Sequence, residues 1–393
     1  MEELQKAYTL CKKKFEVHRE NMNGMPFELH ESTTGAYYKE PKASDLSQMY
    51  NWMTSFVTGM APLFYREEQK AETLAWAEQF EQYYHTKIFD TPLESMHDLG
   101  FLYSPYSVAM YQLTGDKRHR DDALRAADEL AKRFDLRGHY IDAWGKMDDD
   151  ERRGRAIIDC MMNLALILWA WKETGSTFYR DVAVLHAETT RKYFIREDNT
   201  VAHSFCFDRA TGAMTEECNG CGYANGTHWA RGTAWAVYGF SILARYTDSE
   251  VYRQLAIDVA KKYIASMPEG QYIPVWDFLL PENLPAKFCG KGNELTTWDE
   301  SDPANCVYNV DSSAAAIVAS GLLELYGQTG EPWMLAFATN SLKALCGDIY
   351  LNRDETIPGI LARQNGQMHY TTYGDFFFAE ALQRVLFHTK SCW

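Results

Sequence analysis

The stretch "WAWKETGSTFYRDVAVLHAETTRKYF" (169–194) decides the fold. An apolar helical pattern ends at Thr174-Gly175, and a second helix then opens with alanines at helical spacing. The same helix, short turn and helix recur in three other segments: 110–134 around Thr114-Gly115, 243–264 around Thr247-Asp248, and 323–345 around Thr329-Gly330. Successive turns are 60, 73 and 82 residues apart. Each unit is therefore a helix pair with a connection of variable length.

The helix pairs predict a closed barrel. Helical patterns also fit 1–20, 45–65, 68–85 and 371–388, which makes about six pairs. No sustained alternation indicates a major sheet, although short strands could occur within 195–225 and 268–300. The fold class predicted is all-α.

The long insertions favour a barrel over an open helical solenoid, which stays the alternative. They follow the second helices, at 135–153, 195–228 and 265–307, and the repeat is irregular and longer than the common repeats of about 34 residues. We expect residues 1–393 to form a single (α/α)6-barrel catalytic domain. First helices would make the inner ring, second helices the outer ring, and long loops a cleft at one end.

Composition limits the partners. The 393-residue chain is 46 % hydrophobic and carries a net charge of −15, which disfavours nucleic acid and anionic membrane surfaces. The first residues, "MEELQKAYTLCKKKF", lack the apolar core of a signal peptide, and the apolar run 161–171 is too short to span a bilayer. We expect a cytoplasmic protein, or a periplasmic one if a signal peptide has been removed, and a monomer or homodimer.

The nine cysteines are spread over a long chain and are expected to be reduced thiols. A zinc site is the alternative in one loop, where the spacing of four side chains would suit it: His203, Cys206, Cys218 and Cys221. The sequence contains no HExxH, phosphate-binding glycine loop or GxSxG. We expect neither a metal nor a cofactor.

Four charged residues occupy equivalent places in the repeat, 16 to 19 residues before the turn that ends each inner helix: Asp98, Asp159, Arg231 and Asp311. Neighbouring helices of a ring would bring these ends together. Helix capping is the alternative explanation for the acids, although Ile157 and Ile158 suggest that the helix has already begun before Asp159. A convergent set would instead be an acid–base site that accepts an anion.

Several tryptophans fall at the same level. Trp144 lies in the loop before Asp159, Trp229 and Trp235 flank Arg231, and Trp52 is near the start of an earlier inner helix. Individually they would suit the core. Together they would make a platform on which sugar rings stack.

Five motifs follow one another over nearly the whole chain: "HDLGFLY", "RAIIDCMMNLALILWA", "WARGTAWAVYGF", "DSSAAA" and "YGDFFFAEAL". In these motifs the chain resembles the unsaturated glucuronyl hydrolases, glycoside hydrolase family 88. The superfamily also holds the unsaturated rhamnogalacturonyl hydrolases, but the surroundings of Asp98, Asp159, Trp144 and His203 favour the glucuronyl side. The family fold is an (α/α)6 barrel.

The resemblance implies an unsaturated uronic-acid-terminated oligosaccharide as substrate and hydration of its C4=C5 vinyl ether. Asp159 matches the general acid and base, and Asp98 the second carboxylate, which binds substrate hydroxyls and tunes Asp159. The other matched positions contact substrate: His97, Trp144, His203, Arg231, Trp235, Trp52, Cys221 and Tyr373.

Three departures bear on substrate choice. Cys221 replaces a glutamine of some relatives, Val57 replaces a second tryptophan, and 361–375 lacks a serine- and lysine-bearing pattern that some relatives use for sulfate.

Two other classes of protein stay open as alternatives: a different (α/α)6 enzyme such as an inverting glycosidase or sugar epimerase, and a non-catalytic helical-repeat scaffold.

Overall fold

A computed structural model describes residues 1–22, 31–32, 34–37, 51–147, 149, 153–279, 288–289, 294–295, 310–364 and 370–393. The helices within these ranges are α1 Glu2–Met22, α2 Ser55–Thr58, α3 Met60–Glu68, α4 Ala71–Glu78, α5 Glu81–Asp90, α6 Leu99–Tyr103, α7 Ala109–Thr114, α8 Lys117–Lys132, α9 Cys160–Thr174, α10 Thr177–Tyr193, α11 Ala230–Thr247, α12 Glu250–Ala265, α13 Ser312–Thr329, α14 Pro332–Leu345 and α15 Thr372–Phe387. The predicted all-α class is confirmed.

Alternate helices form a closed inner ring. Contacts run from α2 to α6, α9, α11, α13 and α15 and back to α2. The second helix of each pair packs outside, and the outer helices are α1, α4 with α5, α8, α10, α12 and α14. This is the (α/α)6 barrel expected from the repeat.

The two rings differ as their sequences require. Helix α9 is buried on every face from Cys160 to Ala170, as expected of a helix that is apolar all round. Helix α8 buries an alanine-rich stripe, including Ala123, Ala126 and Ala127, and exposes its charged face. Apolar burial of the inner ring thus supplies the core that holds the barrel together.

The predicted turns between paired helices are confirmed. Gly115, Gly175 and Gly330 end their helices at φ of 71°, 75° and 73°, a left-handed conformation that glycine adopts without strain. Asp248 takes the same role at φ 51°. The turn pattern therefore marked the true boundaries of the inner helices.

One inner helix is interrupted. Residues Ser104–Val108 form a π-helical turn between α6 and α7, and Pro105 at its second position has no N–H to donate. Pro105 packs against Gly59, where a Cβ would lie 2.7 Å from the proline Cβ. The predicted helix at 45–65 is also broken at Gly59, and its residues 45–50 lie outside the described ranges.

Trp393 fills the middle of the ring. Its indole stacks on Phe377 with ring centroids 5.7 Å apart and lies 5.9 Å from Phe101. Its carbonyl accepts a 2.6 Å hydrogen bond from Arg245 near the carboxyl end of α11. The barrel is thereby closed below the amino ends of its inner helices.

The strands lie in the connections. They are β1 Glu31–Ser32, β2 Phe134–Asp135, β3 Tyr140–Ile141, β4 Arg155–Ile157, β5 Ser204–Phe207, β6 Met214–Glu217, β7 Phe288–Cys289, β8 Glu294–Leu295 and β9 Tyr370–Thr371. The largest sheet among the described residues is antiparallel β4-β5-β6, and β1-β9, β2-β3 and β7-β8 are two-stranded. Strands predicted within 195–225 and 268–300 are therefore present, whereas β2-β3 and β4 were not expected.

Candidate functional site

The amino ends of the inner helices meet at one end of the barrel. Trp52, before α2, stacks on Tyr373 in α15 with ring centroids 5.0 Å apart, and also lies 5.2 Å from Phe101 in α6. Arg231 in α11 pairs with Asp311, before α13, at 3.4 Å, and its guanidinium lies 5.2 Å from the centre of the Tyr373 ring. The sequence positions counted back from the turns do share one level.

Asp98 and Asp159 occupy the positions directly before α6 and α9, but neither side chain caps its helix. Asp311 does cap, accepting hydrogen bonds from Ser313 N at 3.0 Å and Ala314 N at 3.2 Å. The capping explanation is therefore right for Asp311 and wrong for the two other acids. The expectation that α9 begins before Asp159 is also wrong, because Ile157 ends β4.

Burial raises the pKa of both carboxyls from 3.8 to about 7. Arg133, Asn163 and Lys87 lower the pKa of Asp98 against this effect. Arg231 lowers the pKa of Asp159, while the charge of Asp98 raises it. Each carboxyl therefore changes its protonation state near neutral pH, the range in which general acid–base catalysis operates.

Two buried histidines flank the acids. His97 Nε2 lies 3.3 Å from Asp98 Oδ1, and His203 Nδ1 accepts a 2.9 Å hydrogen bond from Gly220 N, so a neutral His203 carries its proton on Nε2. Burial lowers the pKa of both imidazoles to about 3. A 3.0 Å bond from Ile158 N to the His203 carbonyl holds β5 against the Asp159 segment. Both rings are thus neutral hydrogen-bonding groups.

Arg231 brings a buried positive charge to the same end. Besides its pair with Asp311, the guanidinium lies 4.6 Å from the Trp229 ring centre, and the side chain is 8 % exposed. Guanidinium groups stay charged at any physiological pH. The site therefore combines two acids that ionise near neutrality with the fixed positive charge of Arg231, an arrangement that favours an anionic ligand.

The tryptophans divide into two sets. Trp52 and Trp144 are half-buried, and the Arg155 guanidinium lies 4.8 Å from the centre of the Trp144 ring. Trp229 and Trp235 are buried in the wall. Trp235 Nε1 lowers the pKa of Asp159 and makes no hydrogen bond of normal geometry within the described residues. The expected stacking platform is therefore restricted to Trp52 and Trp144, while Trp235 presents an N–H.

The cysteine loop differs from expectation. Cys206 and Cys218 are joined in a disulfide, so the prediction of free thiols is wrong for this pair and neither sulfur is available to zinc. Cys221 is an exposed thiol outside this disulfide. Another group of side chains of the metal-binding type lies on α5 and α8, away from the acids: Glu81, His85 and Asp122. The Cys206–Cys218 link anchors the segment that carries Gly220 and Cys221 beside His203.

Three polar residues around Asp98 escaped sequence reasoning. Arg133 is fully buried and donates hydrogen bonds to the carbonyls of Ser95, Asp142, Trp144 and Gly145 at 2.7 to 3.1 Å. It therefore ties the segment before Asp98 to the Trp144 loop. Lys87 is 3 % exposed, and Asn163 is fully buried in α9. Asn163 is a lone asparagine in the apolar stretch "CMMNLALIL", and this pattern could have indicated a buried polar role. Arg133 in "LAKRFDL" has the sequence context of a surface residue.

Comparison with known proteins fits this geometry. The chain is 33 % identical over 303 residues to an unsaturated glucuronyl hydrolase of Bacillus sp. (strain GL1), covering 74 % of each chain. The chain belongs to the unsaturated glucuronyl hydrolase family. It is therefore a glycoside hydrolase, as the sequence motifs predicted.

A second member of this group is more distant. An unsaturated chondroitin disaccharide hydrolase of Streptococcus pyogenes serotype M1 is 29 % identical, over 85 % of this chain and 80 % of its own. No protein-family model matches the chain.

The structural comparison agrees. The crystal structure of the unsaturated glucuronyl hydrolase from Bacillus sp. GL1, described as responsible for glycosaminoglycan degradation, superposes with a TM-score of 0.82 at 29 % identity, covering 98 % of this chain and 97 % of that one. Among the helices described here, none combines the length and apolarity that crossing a membrane requires.

Proposed function

We propose that this hydrolase removes the 4,5-unsaturated glucuronic acid from the non-reducing end of lyase-generated oligosaccharides by hydrating the C4=C5 bond. The observation that carries the proposal is the pair of buried acids, Asp98 and Asp159. Both have a pKa of about 7, and the fixed positive charge of Arg231 acts on Asp159. The names of the relatives support glycosaminoglycan fragments as the substrate class.

In the proposed reaction, protonated Asp159 donates its proton to C4 of the vinyl ether. Positive charge develops at C5 and on the ring oxygen, and water attacks C5 while the Asp159 carboxylate takes up the proton of that water. The resulting hemiketal opens between C5 and the ring oxygen, and the exposed hemiacetal at C1 releases the remaining sugar. One water is consumed and Asp159 returns to its starting state, so no cofactor enters the balance.

The other site residues would bind. Arg231 would pair with the substrate carboxylate, because it is the buried cation next to Asp159. Ionised Asp98 and the neutral imidazoles of His97 and His203 would hold hydroxyl groups. Trp144 would stack on a sugar ring, as its half-exposed indole allows.

Four more positions complete the proposed substrate site. Half-buried Trp52 with Tyr373 would line one side, and buried Trp235 would offer its N–H. Exposed Cys221 would lie toward the next sugar, where some relatives have glutamine. Part of the segment at 361–375, which bears on sulfate tolerance, lies outside the described residues at 365–369.

Product analysis in heavy-oxygen water tests the reaction type. Hydration places the label on C5 of the released uronic acid, whereas an inverting glycosidase would place it on C1. Early quenching limits exchange of the label with solvent. Loss of the ultraviolet absorbance of the conjugated double bond, measured on unsulfated and sulfated unsaturated disaccharides, identifies the preferred substrate. Absence of turnover on every disaccharide of the panel would contradict the proposal.

The compartment is a separate proposal. The cytoplasm was expected, but the Cys206–Cys218 disulfide favours the periplasmic alternative, because disulfides persist in oxidising compartments. Thiol trapping in fractionated cells tests this. A reduced pair in the cytoplasmic fraction would support the cytoplasm, and an oxidised pair in the periplasmic fraction would support export.

A further inference from the structure

A short loop, residues 142–145, lies between the segments that carry the two buried acids, and it is called the bridging loop below. On one side, the Ala143 carbonyl accepts a 3.1 Å hydrogen bond from the backbone N–H of His97, the residue directly before Asp98. On the other side, Ala143 N donates a 2.7 Å hydrogen bond to the carbonyl of Arg155 in β4, the strand that leads into the second acid. The bridging loop therefore links the backbones of the two segments.

Arg133 holds the bridging loop against the Asp98 segment. Its guanidinium donates a 2.8 Å hydrogen bond to the carbonyl of Ser95, three residues before Asp98. Three further hydrogen bonds, of 2.7 to 3.1 Å, go to carbonyls of the loop: Asp142, Trp144 and Gly145. The side chain is fully buried, where a charged group is costly unless its donors are satisfied. The planar guanidinium, with five N–H donors in fixed directions, is suited to holding several carbonyls at set positions.

Asp142 holds the bridging loop against the Asp159 segment. Its side chain is buried, and Oδ1 accepts hydrogen bonds from Gly154 N at 2.5 Å and from Arg155 N at 3.2 Å. Its Oδ2 accepts a 2.9 Å hydrogen bond from Arg153 Nε. These donors lie at the start of β4, which ends two residues before Asp159. The loop is thus held from both sides by buried charged side chains.

We propose that Arg133 and Asp142 are positioning residues: by holding the bridging loop from its two sides, they set the separation of Asp98 and Asp159. The inference rests on the proposed function, because that function needs both acids in place when the proton is transferred. Both acids lie just before their helices rather than within them, so contacts of the connecting segments decide where they stand. Misplacement of a catalytic group by about 1 Å can cost about 10²-fold in rate.

Exchange of Arg133 for lysine tests the proposal, because lysine keeps the positive charge but offers one nitrogen, which cannot reach all four carbonyls. The kcat should fall about ten- to a hundredfold, and KM should change less. The matched change Arg125→Lys, on the same helix α8, should keep the wild-type kcat. An Arg133→Lys enzyme with the wild-type kcat would overturn the proposal, whether or not its Tm is lower, since charge or fold stability would then explain the arginine.

Exchange of Asp142 for asparagine gives a second measurement that does not require the Arg133 variant to fold. The amide cannot accept from donors on both sides, because its Nδ2 is itself a donor. The kcat should fall about tenfold or more. Because both residues act through one loop, the loss in the double variant should be smaller than the product of the separate losses. A wild-type kcat for Asp142→Asn, or a loss equal to that product, would overturn the proposal.

Asp159→Asn separates failure of this inference from failure of the proposed function. An active Asp159→Asn enzyme would contradict the proposed function. If Asp159→Asn is inactive on the unsaturated disaccharide while the variants of Arg133 and Asp142 keep the wild-type kcat, only the positioning role fails.

Discussion

Exchange of Asp159 for asparagine should abolish turnover and stabilise the fold at alkaline pH. The amide keeps the size of the side chain but cannot transfer a proton, and general acid–base groups contribute about 10²–10⁴-fold to the rate. The effect on stability has the opposite sign because burial raises the pKa of Asp159, so the folded state holds that proton more tightly than the unfolded state. The wild type therefore loses stability as the pH rises from about 4 through 7.

The magnitude follows from the size of the pKa change. A rise from 3.8 to about 7, at about 1.36 kcal/mol for each unit, gives an upper limit of about 4 kcal/mol. Since part of this rise depends on the charge of Asp98, we expect about 2–4 kcal/mol, or about 2–5 °C in Tm for a chain of this length. The Tm difference between variant and wild type should be smallest at about pH 4 or below and should grow by this amount by about pH 9.

Three assays check the prediction: loss of the double-bond absorbance for turnover, calorimetric titration for disaccharide binding, and thermal unfolding across the pH range. The variant should still bind. Asp258→Asn, the same change on outer helix α12, should keep the wild-type rate. Retention of more than about a tenth of the wild-type rate would move the proton transfer elsewhere. A Tm difference that is the same at both pH values would refute the raised pKa.

Three other changes test the remaining parts of the site. Asp98→Asn should move the basic limb of the kcat/KM profile to lower pH, because it removes the charge that raises the pKa of Asp159; an unmoved limb would contradict this coupling. Arg231→Ala should weaken binding of an acid substrate about tenfold or more while affecting its methyl ester less, and equal losses in a binding titration would assign Arg231 to the fold. Cys206→Ser should raise KM and leave kcat within about threefold of the wild-type value, because the disulfide to Cys218 anchors the segment that contacts His203. An unchanged KM would show that this segment does not need the disulfide.

The sequence was sufficient for the fold because the repeat has physical markers. Glycine or aspartate at the left-handed position ended four inner helices, and counting back from these turns placed Asp98, Asp159, Arg231 and Asp311 at one level. This count works because helical rise is constant.

The surroundings of the site were harder to predict. Arg133 donates hydrogen bonds to four backbone carbonyls, and no local sequence pattern predicts such long-range contacts. The Cys206–Cys218 pairing likewise depends on how β5 and β6 align. Trp235 was expected to offer a ring face, but its position in the wall is decided by neighbours such as Phe101 and Phe377.

The contrast among three aspartates explains how the barrel produces reactive acids. Asp311 stands before an inner helix and satisfies backbone N–H groups, the ordinary use of an acid at that position. Asp98 and Asp159 stand at equivalent places, yet their side chains make no capping hydrogen bond. They therefore forgo the stabilisation that capping supplies, and burial raises the pKa of each to about 7. One position of the repeat therefore yields an ordinary helix cap before α13 and, before α6 and α9, two carboxyls that change protonation state near neutral pH.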